Sequence, residues 1–459
     1  MDIFSIVLSL ALLMFFAYRG FSVIIFAPIF AILAAVLSGK GALATYTHSF
    51  MPEAMNYAKV YFPIFMLGAV FGKVMEETGL AKSVAMYLIK TLGKERGILS
   101  IILSCVILTY GGVSLFVVVF AVYPFAASLF KEADIPKRLM PVTIALGAFT
   151  ATMDSFPWSP QIQNVIPTTF YGTTTAAAPI SGFIGGTLIL VLGYLYVNWR
   201  VKQARANGEG YGVHDEKVVD QNAQEPISFW VAIVPLASVL LINLFLTSRF
   251  FVWDPNLLAD FPGVSVNSIK GIWALIIALL IGIILATGLG WRNLKTSSKL
   301  ATTLNAGAIG SLLAIMNTAS EVGYGNVIKT LNGFAFIRDG LLAIKIGGGP
   351  LVSQAIAVTT LAGITGSASG GMSIALGAMG KTYLEWANEV GLSPEMLHRV
   401  ASMASGGMDT LPHNGAVITL LAVCGMTHRE SYKDIFVITL LKTAMVFFII
   451  FFHSVTGLL

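Results

Sequence analysis

Apolar residues run through this chain in long unbroken blocks with little two-residue alternation. IFSIVLSLALLMFFA at 3–17, IWALIIALLIGIILA at 272–286 and DIFVITLLKTAMVFFIIFF at 434–452 stand for many such blocks. Each approaches or reaches the roughly 20 residues a helix needs to cross a hydrocarbon core of ~30 Å. Short alternating strands would signal an outer-membrane barrel, and the pattern is the opposite. An all-α polytopic membrane protein follows. The pattern predicts spanning helices near 1–18, 20–38, 57–78, 136–172, 177–199, 228–248, 268–290, 299–322, 392–427 and 432–456, with 136–172 and 392–427 interrupted. Segments 98–132 and 349–389 are too long for one crossing, too short for two, and broken by glycines. They are expected to form re-entrant hairpins. Segments 80–96 and 324–345 mix charge with apolar residues and suggest interfacial helices.

Composition agrees: of 459 residues 56% are hydrophobic and 11% charged, against the roughly 25% charged of soluble domains. The first block lacks a basic leader and a small-residue cleavage site, so it reads as a membrane helix. Cys105 and Cys424 both fall in apolar helix, which argues against a disulfide or a thiolate metal site. The long polar stretch WRVKQARANGEGYGVHDEKVVDQNAQEP at 199–226 separates two halves, and its basic residues argue for a cytoplasmic location. With that loop inside, 18 of the 28 Lys and Arg residues fall on the inner side, nine outside and Lys442 within a span. Both termini then lie outside. Because the basic residues follow loops, the net charge of +5 does not suggest nucleic acid.

The halves repeat. GGVSL at 111–115 corresponds to GGMSI at 370–374, and MDSFP at 153–157 to MDTLP at 408–412, in the same order. Glu77-Thr-Gly79 and Glu321-Val-Gly323 form a weaker third pair. Each half crosses five times, an odd number, so the second copy is expected inverted in the bilayer. The organisation is a first repeat at 1–200, a linker at 201–227 and a second repeat at 228–459.

Inverted repeats with broken helices place a substrate site near mid-membrane, where half-helix N termini offer free N–H groups to an anion. Gly111, Gly112 and Ser114, and Ser369, Gly370, Gly371 and Ser373, would permit close approach and add hydroxyl donors. Small-residue helix packing is the competing account. Asp154 and Asp409 each precede a proline by three positions, so their helices should unwind there. A membrane carboxylate costs at least about 2.5–3.5 kcal/mol on insertion scales unless it is paired, wet or protonated. Such an acid can carry a proton with substrate or, beside free carbonyls, hold Na+. Otherwise it caps a half-helix or pairs with Lys442 or His413. His413 and Asn414 follow the second aspartate and could contact a carboxylate. Lys442 could neutralise substrate or Asp409, or snorkel. Glu77 and Glu321 are expected at solvated helix ends, and His453 at the interface.

The run ITGSASGGMSIAL and then ASGGMDTLPHNGAVITLLAVCGMTHRESYKDIF resemble the C-terminal half of the gluconate permease family of bacterial proton symporters, nearest its 3-hydroxybutyrate branch. The resemblance implies uptake of a small hydroxy carboxylate with protons across a bacterial cytoplasmic membrane. The wider ion transporter superfamily implies a homodimer with a scaffold and an elevator-like transport domain. Phe156 and Trp158, beside Asp154, tilt the substrate from a polyol such as gluconate toward 3-hydroxybutyrate. No cofactor or metal is implied beyond the coupling ion, H+ or alternatively Na+. The patterns of an intramembrane aspartyl protease, H-E-x-x-H and G-x-S-x-G are absent, which argues against an enzyme. Duplicated, asymmetric half-sites without a charged ring favour alternating access over a channel.

Overall fold

Helix is the only regular structure among the residues described by the computed structural model, which are 2–19, 21–93, 96–214, 227–248, 250–261, 265–294 and 297–459. Residues 215–226 of the expected linker lie outside them, as do Lys94, Lys217 and Lys295 of the inner basic set. The first half comprises α1 (Asp2–Tyr18), α2 (Val23–Leu37), α3 (Ala42–Thr45) and α4 (Met51–Glu77). It continues through α5 (Leu80–Leu92), α6 (Gly97–Tyr110), α7 (Leu115–Glu132), α8 (Met140–Ala148), α9 (Ala151–Asp154), α10 (Ile162–Tyr171) and α11 (Pro179–Ala206). The second comprises α12 (Phe229–Thr247), α13 (Val266–Leu289), α14 (Ser297–Lys329), α15 (Asn332–Leu342), α16 (Leu351–Thr365), α17 (Ala368–Glu389), α18 (Pro394–Gly406), α19 (Gly415–Cys424) and α20 (His428–Thr456). Among the described residues, seven helices are long and apolar enough to cross a membrane.

Packing between the halves is reciprocal. α2 lies on α14 while α13 lies on α4; α1 meets α15 while α12 meets α5; α7 meets α19 while α17 meets α10. The like elements α4 and α14, and α11 and α20, pair at the centre. Reciprocal contacts of this kind are those of a pseudo-two-fold axis, which the matched pentapeptides and odd crossing number require. Both hairpins form, α6 with α7 and α16 with α17. Both interrupted helices also form, as α8–α9–α10 and as α18, a 3-10 turn at Gly407–Thr410, and α19.

Three elements differ from expectation, the first being the helix placed at 177–199, which runs on to Ala206. The span placed at 57–78 begins at Ala42, running through a wide π turn at Tyr46–Phe50 into α4. Pro52 has no N–H to close a normal turn, and the widened turn just before it absorbs the mismatch. The helix placed at 299–322 continues to Lys329, so the interfacial helix expected at 324–345 shrinks to α15. Gly323 and Gly325 look like stop signals but serve close approach. A Cβ on Gly323 would meet the Phe50 carbonyl oxygen at 2.9 Å, and one on Gly325 the Ile374 side chain at 2.5 Å.

After α11 the chain folds against the first hairpin's base. Arg138 forms ion pairs with Glu209 and Asp434, and Arg200 with Asp434. The Arg138 guanidinium holds the Glu209 carboxyl below its ordinary range. The Tyr211 amide donates to Asp134 Oδ1 at 2.8 Å.

Candidate functional site

Each hairpin turns by a different local device. The first reverses through Gly112, whose φ of +98° lies where side chains are strained. The Val113 amide donates back to Leu108, closing the end of α6. The second reverses through Gly366 at φ +69°, and Ser367 then caps α17 by accepting from the Gly370 amide at 3.1 Å. The breaks supply two more helix starts. Asn414 caps α19 by accepting from the Ala416 amide at 2.7 Å, and Gln161 stands at the same position of α10.

These cap residues also tie each break to its hairpin. The Gln161 side-chain amide donates to the carbonyls of Thr109 at 2.8 Å and Val113 at 3.3 Å. The Asn414 amide donates to Gly366 O at 3.0 Å. The four N-cap residues, Ser114, Gln161, Ser367 and Asn414, line a single cavity of about 570 Å³. Four half-helix N termini from both repeats therefore converge on one space. Neither Ser114 nor Gln161 caps its own helix through its side chain, so N–H groups of α7 and α10 lack a side-chain cap.

Among the described residues two acids, Asp409 and Glu321, line that cavity, and no lysine or arginine does. Asp409 is 7% exposed and accepts from Gln163 Nε2 at 2.7 Å and Asn414 Nδ2 at 3.4 Å. Glu321 was expected at a solvated helix end; it is instead 3% exposed in the interior of α14. The misplacement follows from the underestimated length of that helix. Glu77 does lie at a helix end, half-buried and paired with Lys73.

Asp154 does not face the cavity. Fully buried, it forms an ion pair with Lys442 at 2.8 Å and accepts from Ser155. Lys442 Nζ also donates to Phe149 O at 2.7 Å and Gly406 O at 2.5 Å, so one ammonium fastens both breaks together. A Cβ on Gly406 would lie 1.8 Å from Asp154 Oδ2, which demands glycine there.

Of the other residues singled out by sequence, Gly112, Ser114, Ser369 and His413 line the cavity. Gly111, Gly370, Gly371 and Ser373 do not. A Cβ on Gly111 would meet Leu236 at 2.5 Å, and one on Gly371 the Ala362 Cα at 2.1 Å. For these two glycines the small-residue packing account describes the geometry. Ser373 donates to the Ser369 carbonyl one turn back. Phe156 and Trp158 pack on Phe183 of α11, away from the cavity, so they do not form its apolar wall. Ile64, Phe65, Phe116 and Leu279 do.

Arg399 and His398 were missed. Arg399 is fully buried in α18. It donates to the carbonyls of Ala177 at 2.7 Å and Asp154 at 3.1 Å, and to Asn164 Oδ1 at 3.0 Å. His398 meets Thr173 at 2.7 Å and Asn164 at 3.2 Å. Arg399 thereby satisfies carbonyls at the first break, with Tyr110 on Pro157 O and Asn243 on Trp158 O, while His398 holds the Asn164 side chain beside it. An arginine amid the small residues of ASMASGG was the available signal. Among the described residues no group of three or more His, Cys, Asp or Glu could hold a metal ion.

A profile described as GntP family permease matches residues 1–330. The motifs carrying the sequence resemblance lie beyond that range, so the two observations are independent. An uncharacterized transporter, YxjC of Bacillus subtilis (strain 168), is 50% identical, and the similarity covers 100% of each chain. The fold is similar to the crystal structure of the Alcanivorax borkumensis YdaH transporter, described as having an unusual topology. That likeness has a TM-score of 0.57 at 15% identity and covers 89% of this chain and 87% of the other. A helical fold of inverted halves, a full-length transporter relative and the profile match point to a permease rather than an enzyme, and the chain belongs to the GntP permease family.

Proposed function

We infer that the protein is a secondary active importer of a small hydroxy monocarboxylate, 3-hydroxybutyrate-like, coupled to protons. The observation that carries this reading is the convergence of four half-helix N termini on a cavity with two acids and, among the described residues, no lysine or arginine. The N termini favour a carboxylate, and the hydroxyls of Ser367 and Ser369 offer hydrogen bonds to it or to a substrate hydroxyl. The apolar wall of Ile64, Phe65, Phe116 and Leu279 suits a short hydrocarbon better than a polyol. Two ionised carboxylates would repel an arriving anion, so substrate and proton enter together once an acid is neutralised. Asp409 keeps the coupling role expected from sequence, whereas Asp154, already neutralised by Lys442, holds the breaks in register.

Transport then proceeds by alternating access of elevator type. The hairpins and broken helices move with the substrate against the α4–α14 pair, and the protein works as a homodimer, as the family resemblance implies. It resides in a bacterial cytoplasmic membrane, with the central linker inside and both termini outside. The basic residues about the linker, Arg138, Arg200 and Arg205, support that orientation.

Uptake of labelled 3-hydroxybutyrate into proteoliposomes, competed by gluconate and lactate under imposed proton or sodium gradients, tests the reading. Proton-driven accumulation blocked better by lactate than by gluconate is expected. Accumulation driven only by sodium, or selective for gluconate, would replace it.

A further inference from the structure

Asp409 accounts for one acid in the cavity; Glu321 remains. Its side chain is buried, and Oε2 has no hydrogen-bond partner among the described residues. A Cβ on Gly370 would lie 1.5 Å from that oxygen, so the carboxyl rests directly on the first turn of α17. A side chain at this position would force the carboxyl to move, which explains the first glycine of the second GG pair better than ligand contact does.

The ionisable groups around Glu321 are few. α4 presents Tyr57 and Tyr61, the turn after α18 presents Asp409, and His413 lines the same cavity. From α17 come Ser367, Ser369 and Ser373, while its Lys381, Tyr383, Glu385 and Glu389 lie at least three turns beyond Gly370. α2, also packed on α14, contains no ionisable residue. Thus Glu321 has nothing resembling the lysine that neutralises Asp154. Its nearest charge partner is another acid, in a cavity that must also hold an anion.

Three negative groups in one low-dielectric space are mutually costly, and one proton on Asp409 leaves two of them facing each other. We propose that Glu321 is a second proton-binding residue, so that two protons accompany each monocarboxylate. Each inward turnover then moves one net positive charge: two protons enter with one anion, and nothing is oxidised or reduced. The inference rests on the proton-coupled carboxylate reading above and adds its stoichiometry.

The test is a null-flux measurement on the full chain in proteoliposomes. The membrane potential is abolished with valinomycin and equal potassium, a one-unit inward proton gradient is imposed, and an opposing gradient of 3-hydroxybutyrate, lactate or gluconate, whichever the uptake assay selects, is varied until net flux stops. Each proton balances about a tenfold anion gradient per pH unit. The wild type is expected to balance at about a hundredfold and Glu321→Gln at about tenfold. A wild-type null at about tenfold, or an unchanged null in Glu321→Gln, overturns the inference while leaving proton coupling intact. A null insensitive to protons removes the coupling reading itself. Should Glu321→Gln fail to transport, proton uptake on anion binding in weakly buffered detergent decides the matter. Two protons in the wild type and in Glu321→Asp, and one in Glu321→Gln, are expected; two in Glu321→Gln overturns it.

Discussion

MDSFP and MDTLP are nearly the same five residues, at matched breaks in the two repeats, yet their aspartates have opposite surroundings. Asp154 sits against Lys442, Ser155 and the backbone of Gly406, closed off from the cavity. Asp409 makes no ion pair, accepts from the side-chain amides of Gln163 and Asn414, and lines the cavity. A pseudo-two-fold fold duplicates backbone geometry but not charge. One lysine on α20, with no equivalent on α11, turns one acid into a fastener and leaves the other facing the cavity, where the proposed proton coupling needs it. Asymmetry of this kind lets a symmetric frame both hold together and do work.

The comparison can be broken most forcefully at Lys442. Lys442→Met leaves Asp154 buried and unpaired, with an expected loss of about 3–5 kcal/mol in stability. Thermal unfolding of the detergent-solubilised protein measures it. Asp154→Asn in the same chain should restore much of the loss; if the double variant is no better than the single one, the pair is not what fastens the breaks.

Asp409→Asn attacks the other side. Folding should be little affected, because the Gln163 amide, whose Oε1 has no partner, can turn over to accept from the new NH2 while Asn414 still donates to the remaining oxygen. Proton-driven accumulation should fall by about tenfold per imposed pH unit, the share of one proton. Substrate counterflow should persist. Accumulation equal to that of the wild type would transfer the proton role elsewhere.

Smaller effects are expected at the caps. Asn414→Ala removes the cap of α19 and its tie to the second hairpin, at about 1 kcal/mol, so the apparent KM in uptake should rise about fivefold. An unchanged KM would remove that helix end from the substrate site. Ser373→Ala should change KM least, since the hydroxyl is spent on the Ser369 carbonyl away from the cavity. A clear rise in KM would mean that Ser373 reaches the substrate after all.

How much of this was legible beforehand depended on the kind of signal. Long apolar blocks and paired pentapeptides disclose helices, hairpins, breaks and inversion, because each is a local or repeated property of the chain. The extents of α4 and α14 were hidden. Pro52 is absorbed by a π turn, and Gly323 and Gly325 are chosen for neighbours distant in sequence. Glu321 was misplaced for the same reason, as its burial follows from that longer helix. Asp154 and Asp409 looked alike because Lys442 lies hundreds of residues from the first and its partner could be known only from packing. Arg399, two residues ahead of ASMASGG, carries a local hint of burial, but its partners, carbonyls of the other repeat, follow only from packing.

The most direct test of the central claim is an experimental structure with 3-hydroxybutyrate or the selected competitor bound. The account predicts a carboxylate among the N termini of α7, α10, α17 and α19, within hydrogen-bonding distance of their N–H or hydroxyl groups, beside Asp409 and away from Asp154. An anion seated against Lys442, or outside the cavity that holds Ser114, Gln161, Ser367 and Asn414, would contradict it.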